Sequence, residues 1–159
     1  MVIVDRLATN PQADVQTLLS VQRGYELAGQ PAKRQSVLAR AATIVDQHLA
    51  NPQADAGTLM NAAQVYATRQ DGGKLEAVLT RLVKVTPDVP EAWYDLSVVQ
   101  ATLAKNPAAL LALSRALALS TQRLKRDPQA RDLHALAAQD SRFVNLRPNP
   151  EFQKLLQKK

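Results

Sequence analysis

His48 and His134 are the chain's two imidazoles, the side chains best suited to move a proton or bind zinc near neutral pH. They stand far apart in sequence, and neither has a second His or a carboxylate at the spacing of about four residues that puts two ligands on one helical face. There is no Cys, which removes thiolate nucleophiles, thiolate metal sites and disulfides together. The one Gly pair, Gly72-Gly73, has none of the surroundings of a phosphate-binding loop and reads as a turn between helices. Asp14, Asp55, Asp71 and Asp127 fall where caps and turns are expected. No enzymatic chemistry, metal or cofactor is expected.

Cationic chemistry is the other possibility. The formal net charge is +6, and its distribution is uneven: residues 1–80 hold seven Lys/Arg against seven Asp/Glu, whereas residues 81–159 hold thirteen against seven. Arg115, Arg123, Lys125, Arg126 and Arg131 lie close together in this basic half. Such a cluster suits phosphates of nucleic acid or an anionic membrane surface. No aromatic residues are interleaved to stack on bases, and Lys or Arg near a helix C-terminus also complements the helix dipole. Polyanion binding is therefore the second reading.

The elements that carry these residues are helices. At 159 residues with 46 % apolar content, the chain has the size and composition of one packed domain. Aromatics are only 4 %, and the abundance of Ala and Leu favours closely packed helices over a sheet. The first residues lack the basic leader and apolar run of a secretory signal. No apolar stretch of roughly eighteen residues is present to cross a membrane. The expected location is cytoplasmic by default, or the soluble tail of a larger protein.

Asn10-Pro11-Gln12-Ala13-Asp14 recurs letter for letter as Asn51-Pro52-Gln53-Ala54-Asp55. Leu18, Leu59 and Trp93 hold equivalent places behind this pattern, at spacings of 41 and 34 residues, within the range of helix-pair repeats. Asp14 predicts a helix over 14–28, ended by Gly29-Gln30-Pro31. A second runs from Pro31 or Ala32 to His48 or Leu49. Asp55 opens the next, and Asp71-Gly72-Gly73 is expected to break it before a helix over 74–85. Thr86-Pro87 closes that unit. Pro90 opens the third pair, Asn106-Pro107 its longer second helix to about Arg126, and Asp127-Pro128 forces a break. Further helices are expected over 129–139 and 150–157.

Three of these units resemble the tetratricopeptide repeat, with its pattern Trp-x2-Leu-Gly-x2-Tyr, Ala-x3-Phe, Pro. Unit three has Trp93, Leu96 and Ser97, with Gln100 at the Tyr position, then Ala109, Leu113 and Ala116. Unit two has Leu59, Ala62, Ala63 and Tyr66, then Leu75, Leu79 and Leu82, ending on Pro87. Unit one has Leu18, Val21, Gln22 and Tyr25, followed by Gly29. The resemblance covers roughly residues 12–120 and implies a right-handed α-solenoid of antiparallel helix pairs, with units near 12–50, 53–87 and 88–121 in a single domain. Residues 122–159 form the end cap. There Phe143, Leu146, Pro150, Phe152, Leu155 and Leu156 look like the tail that often follows bacterial arrays of this family, covering an otherwise exposed apolar face.

The resemblance also implies a binding surface. In this family the first helix of each pair lines a concave groove, with contacts one, five and nine residues beyond the Trp position. Those positions are Leu19, Arg23 and Leu27; Met60, Gln64 and Thr68; Tyr94, Val98 and Thr102. The carboxylate clamp known in part of the family is not expected, because Arg23 and Asn61 are present without Lys, and Asp95 would repel a carboxylate. The expectation is a mainly apolar groove for a partner protein's amphipathic helix or extended segment, anchored on Leu19, Met60 and Tyr94. Self-association is a further possibility, since an unfilled apolar groove attracts another copy.

Overall fold

The computed structural model describes residues 2–157, and among these every regular element is helical. In order they are α1 (Val2–Thr9), α2 (Val15–Leu27), α3 (Pro31–Leu49), α4 (Ala56–Thr68), α5 (Gly72–Val85), α6 (Pro90–Thr102), α7 (Asn106–Arg126), α8 (Leu133–Gln139), a 3-10 turn (Ser141–Phe143) and α9 (Pro150–Gln157). The sequence reads as one domain; the packing gathers into two compact units, Met1–Leu75 and Glu76–Lys159. No described helix is long and apolar enough to cross a membrane.

The duplicated pentapeptide builds the same turn twice. The side chains of Asn10 and Asn51 accept from the backbone N–H of Gln12 and Gln53, each at 2.9 Å. Asp14 and Asp55 then cap α2 and α4, accepting from Thr17 and Thr58 N–H at 2.7 Å. Each cap satisfies one of the orphan donors of a helix start. α6 lacks such a side-chain cap and begins at Pro90, whose fixed φ suits a first helical turn.

α2, α4 and α6 also end alike. The N–H groups of Gln30, Asp71 and Lys105 reach back to the carbonyls of Tyr25, Tyr66 and Gln100 at 2.9, 2.9 and 2.8 Å. Those of Gly29, Gln70 and Ala104 bond to Glu26, Ala67 and Ala101. This is the Schellman arrangement, which needs a left-handed residue between helix and exit; Gly29, Gln70 and Ala104 take it, at φ 63°, 57° and 58°. Gln70 therefore makes the turn expected of Gly72-Gly73. Both glycines instead lie in the first turn of α5, where Asp71 accepts from Lys74 N–H at 3.1 Å.

Within Met1–Leu75, α2 packs on α3 and α3 on α4. The core contains Leu18, Val21, Tyr25, Val37, Leu38, Ala41, Val45, Leu59, Ala62, Val65 and Tyr66. α1 precedes the first predicted helix and packs on α2. Eight residues form no stable helix alone, so tertiary contacts hold it. The Tyr25 hydroxyl donates to Asp5 at 2.8 Å, and Lys33 pairs with the same carboxylate at 2.7 Å. The Arg40 guanidinium donates to the Ala8 and Asn10 carbonyls at 2.8 and 2.5 Å, closing the helix end.

Forty-one residues on, the same cluster forms again: Tyr66 donates to Asp46, and Lys74 pairs with Asp46 at 3.0 Å. In both, the ammonium also lies over the tyrosine ring, 5.5 Å from the Tyr25 centroid and 5.2 Å from that of Tyr66. The duplication thus extends upstream, aligning Ile3-Val4-Asp5 with Ile44-Val45-Asp46. α1 repeats the closing turns of α3.

Within Glu76–Lys159, α6 and α7 form a hairpin against which the tail packs. Tyr94, Val98, Ala101, Leu110, Leu113, Leu117, Leu133, Phe143, Leu146 and Phe152 share one apolar cluster, with Leu155 and Leu156 packed against it. Phe143 meets Tyr94 edge-on at 5.6 Å and Phe152 at 5.6 Å in a tilted pair. α8 begins at Leu133, four residues later than expected, because Asp132 caps it by accepting from His134 and Ala135 N–H.

Candidate functional site

α2 and α4 lie beside each other in the first unit, and together they carry the exposed part of the expected groove. Gln16 on α2 donates its side-chain amide to Asn61 on α4 at 2.7 Å and to Gln64 at 3.3 Å. Arg23 and Gln64 are exposed. Met60 is 59 % and Leu27 85 % exposed, high values for apolar side chains. The surface is therefore amide-rich, with one thioether and one leucine available for apolar contact.

Three expected contacts lie elsewhere. Leu19 is buried: it shares a helix face with Gln16, three residues earlier, which reaches across to α4. Tyr94 is only 3 % exposed, its ring against Phe143 and its hydroxyl donating to Asp140 at 2.9 Å. Val98, one turn on, lies in the same cluster. Tyr94 and Val98, four residues apart, share one face of α6, and the tail occupies that face. Leu19, Tyr94 and Val98 are core residues, so three of the contacts expected to make the surface mainly apolar are not exposed on it.

The tail replaces that apolar surface with charge. Arg142 pairs with Asp140 at 2.6 Å, and this guanidinium, helped by the Tyr94 hydroxyl, pulls the Asp140 carboxyl down to about 2. Burial, followed by the carboxylate partner, pushes the Tyr66 and Tyr94 hydroxyls well above the usual phenol value. Asp95 is open to water yet walled by surrounding protein, and that desolvation raises its carboxyl against the pull of Arg142 and Arg131.

The basic cluster is partly neutralised. Arg123 makes a two-pronged ion pair with Glu91 at 2.6 and 3.0 Å, which lowers the Glu91 carboxyl and raises the Arg123 guanidinium. Arg115 faces Asp88 at 3.7 Å. Lys125, Arg126 and Arg131 are exposed, with no carboxylate within ion-pair distance among the described residues. Five expected cations thus leave three for a polyanion, because partners about thirty residues upstream claim the others.

His48 is exposed in the last turn of α3, and His134 is buried at the start of α8, its Nδ1 3.8 Å from Asp132. No cluster of three or more His, Asp or Glu side chains able to hold a metal occurs among the described residues. The features that sequence inspection missed are the Gln16–Asn61–Gln64 amide set and the two Asp–Tyr–Lys clusters. The exact spacing of 41 residues between Tyr25 and Tyr66, and between Lys33 and Lys74, is the signal that marks the latter. The fold is all-α, made of packed neighbouring helices compatible with a helical repeat, and no protein-family model, curated protein or solved structure matches the chain.

Proposed function

We propose that this protein is a non-catalytic interaction module of the tetratricopeptide-like class, an α-solenoid that holds a segment of another protein along its first helices. The observation that carries this reading is the α2–α4 surface, where exposed Met60 stands beside the Gln16, Asn61 and Gln64 amides. Side-chain amides offer both donors and acceptors, which suits the backbone of an extended peptide, and Met adapts to varied side chains. Three identical first-helix exits support the repeat architecture. An extended segment fits this polar surface better than an amphipathic helix, which requires a continuous apolar groove.

The test is selection from a random peptide library followed by calorimetry of the selected peptides. Binding to the wild type that falls at least tenfold in Met60→Glu and in Gln64→Ala supports the surface. Equal affinity in all three proteins rejects it. Binding by this surface should also resist added salt, whereas a polyanion held by Lys125, Arg126 and Arg131 should dissociate steeply as salt rises.

A further inference from the structure

In the second unit the last turns of α7 and the start of α8 flank a cleft of about 270 Å³, lined by Thr121, Leu124, Lys125, Asp132 and His134. Thr121, Leu124 and Lys125 follow the helical spacing that puts three side chains on one face of α7. His134 lines the cleft from α8. Its side chain is only 9 % exposed, and Nδ1 stands 3.8 Å from Asp132, beyond a hydrogen bond. Among the described residues the ring makes no hydrogen bond, although neither of its nitrogens is wholly sealed from water. A polar side chain so nearly buried costs stability unless it finds a partner. The protein supplies none to this ring, and the cleft is where one can enter.

The charge around the cleft selects an anion. Lys125 has no carboxylate within ion-pair distance among the described residues, and neither have Arg126 and Arg131, the neighbours in sequence of Lys125 and Asp132. Asp132 is the acidic residue of the lining. It spends Oδ1 on the backbone N–H groups of His134 and Ala135 at 2.8 and 3.3 Å, which offsets its charge in part. Thr121 donates its hydroxyl hydrogen to the Leu117 carbonyl at 3.0 Å, so Thr121 and Leu124 serve as walls. The volume lies below the roughly 300–1,000 Å³ of a pocket for a drug-sized molecule. It suits a charged group on a small body.

We infer that this cleft binds an oxyanion, the phosphate or carboxylate group of a small ligand, with Lys125 supplying the charge and the His134 ring an N–H donor. Phosphate is the better fit, because it offers up to two charges and three acceptor oxygens to donors on two helices. The site does not depend on what the α2–α4 surface binds.

His48, the other imidazole, is the internal control. Proton NMR follows the Cε1–H resonances of both rings, assigned with His48→Gln, while inorganic phosphate, phenyl phosphate or acetate is added at fixed pH and ionic strength. Inorganic phosphate should move the His134 resonance saturably, with a midpoint of about 1–10 mM, and leave His48 unmoved. Phenyl phosphate should bind more tightly through Leu124, and acetate several-fold more weakly. The order of the first two tells a phosphate monoester from free phosphate, and acetate as the tightest of the three assigns a carboxylate; each order keeps the oxyanion site. Lys125→Met, at an exposed position, should raise the phosphate midpoint about tenfold. His134→Gln, followed through the Ala135 amide resonance, should raise it several-fold. The absence of a saturable shift overturns the proposal, as does equal movement of both histidines or a midpoint unchanged by Lys125→Met.

Discussion

Tyr66 donates its hydroxyl hydrogen to Asp46, joining α4 to α3, and Tyr25 joins α2 to α1 through Asp5 in the same way. The Tyr66 ring is buried while half of the Asp46 carboxylate is open to water, so the bond contributes less than a fully buried one. Tyr66→Phe should cost about 1 kcal/mol, read from urea unfolding. Tyr25→Phe should cost less, since its partner lies on the short outer helix. Loss of both hydroxyls should be additive within error, because the clusters share no residue.

Gln70 and Ala104 occupy a left-handed conformation that costs a side chain energy and costs glycine little. Gln70→Gly and Ala104→Gly should each stabilise by about 0.5–1 kcal/mol. Gly29→Ala should do the opposite, although nothing lies within 4 Å of its added β-carbon, so that loss would isolate backbone strain from crowding. Thermal denaturation of the three variants gives the signs.

Phe143 is fully buried between Tyr94 and Phe152. Phe143→Ala should cost about 3–4 kcal/mol by loss of transfer energy and creation of a cavity. Trp93, the chain's one tryptophan, packs against the same cluster, so its fluorescence during denaturation follows this unit directly.

Stability should depend on pH at both extremes. Asp140 is held near 2 by Arg142, and Asp46 is lowered by Tyr66 and Lys74. Carboxyls depressed in the folded state contribute fully above their unfolded value of about 4, and the contribution disappears as pH falls toward 2. Asp140→Asn should remove roughly 2 kcal/mol at pH 7 and flatten part of the acid limb. At the alkaline end the sign follows from raised phenols: Tyr66 and Tyr94 keep their protons when folded, so stability falls once pH passes about 10.

Asp95 should behave in the opposite sense. Crowding by surrounding protein raises its carboxyl although the side chain stays open to water, so its charge weighs modestly, after solvent screening, against the folded state above the unfolded value of about 4. Asp95→Asn should be more stable than the wild type at pH 7 and indistinguishable at pH 3. Chemical denaturation at the two pH values decides it.

Helix boundaries were legible where one residue type dictates the geometry. Pro31 and Pro90 start helices, Asp14 and Asp55 cap them, and Gly29 ends one. α1 was missed because eight residues present too little of the helical period, and its stability comes from Tyr25, Lys33 and Arg40, about twenty to thirty residues away. Gly72-Gly73 misled because permission to turn is not an obligation: Gln70 accepts the cost. For the binding surface, the family resemblance chose Leu19, Tyr94 and Val98 by their positions along the helices, but what covers a helix face depends on tertiary packing, and all three are buried. Tyr94 became core through Phe143, a residue 49 positions later. Likewise, nothing near Arg123 in sequence announces Glu91, 32 residues before it.

The two Asp–Tyr–Lys clusters make partner choice during folding a matter of chain statistics, because chemistry cannot distinguish one copy from the other. Each native Asp–Tyr pair spans twenty residues, whereas Tyr66 on Asp5 would close a loop of 61. That longer closure costs about 1 kcal/mol more in entropy, a bias of roughly fivefold toward the correct partner. The opposite exchange, Tyr25 on Asp46, has nearly the native loop length. It is barred once α3 forms, because Lys33 and Asp46 then stand thirteen residues apart on one rigid rod, about 20 Å along its axis. The formed α3 thus holds the two clusters apart and keeps the duplicated halves from exchanging partners.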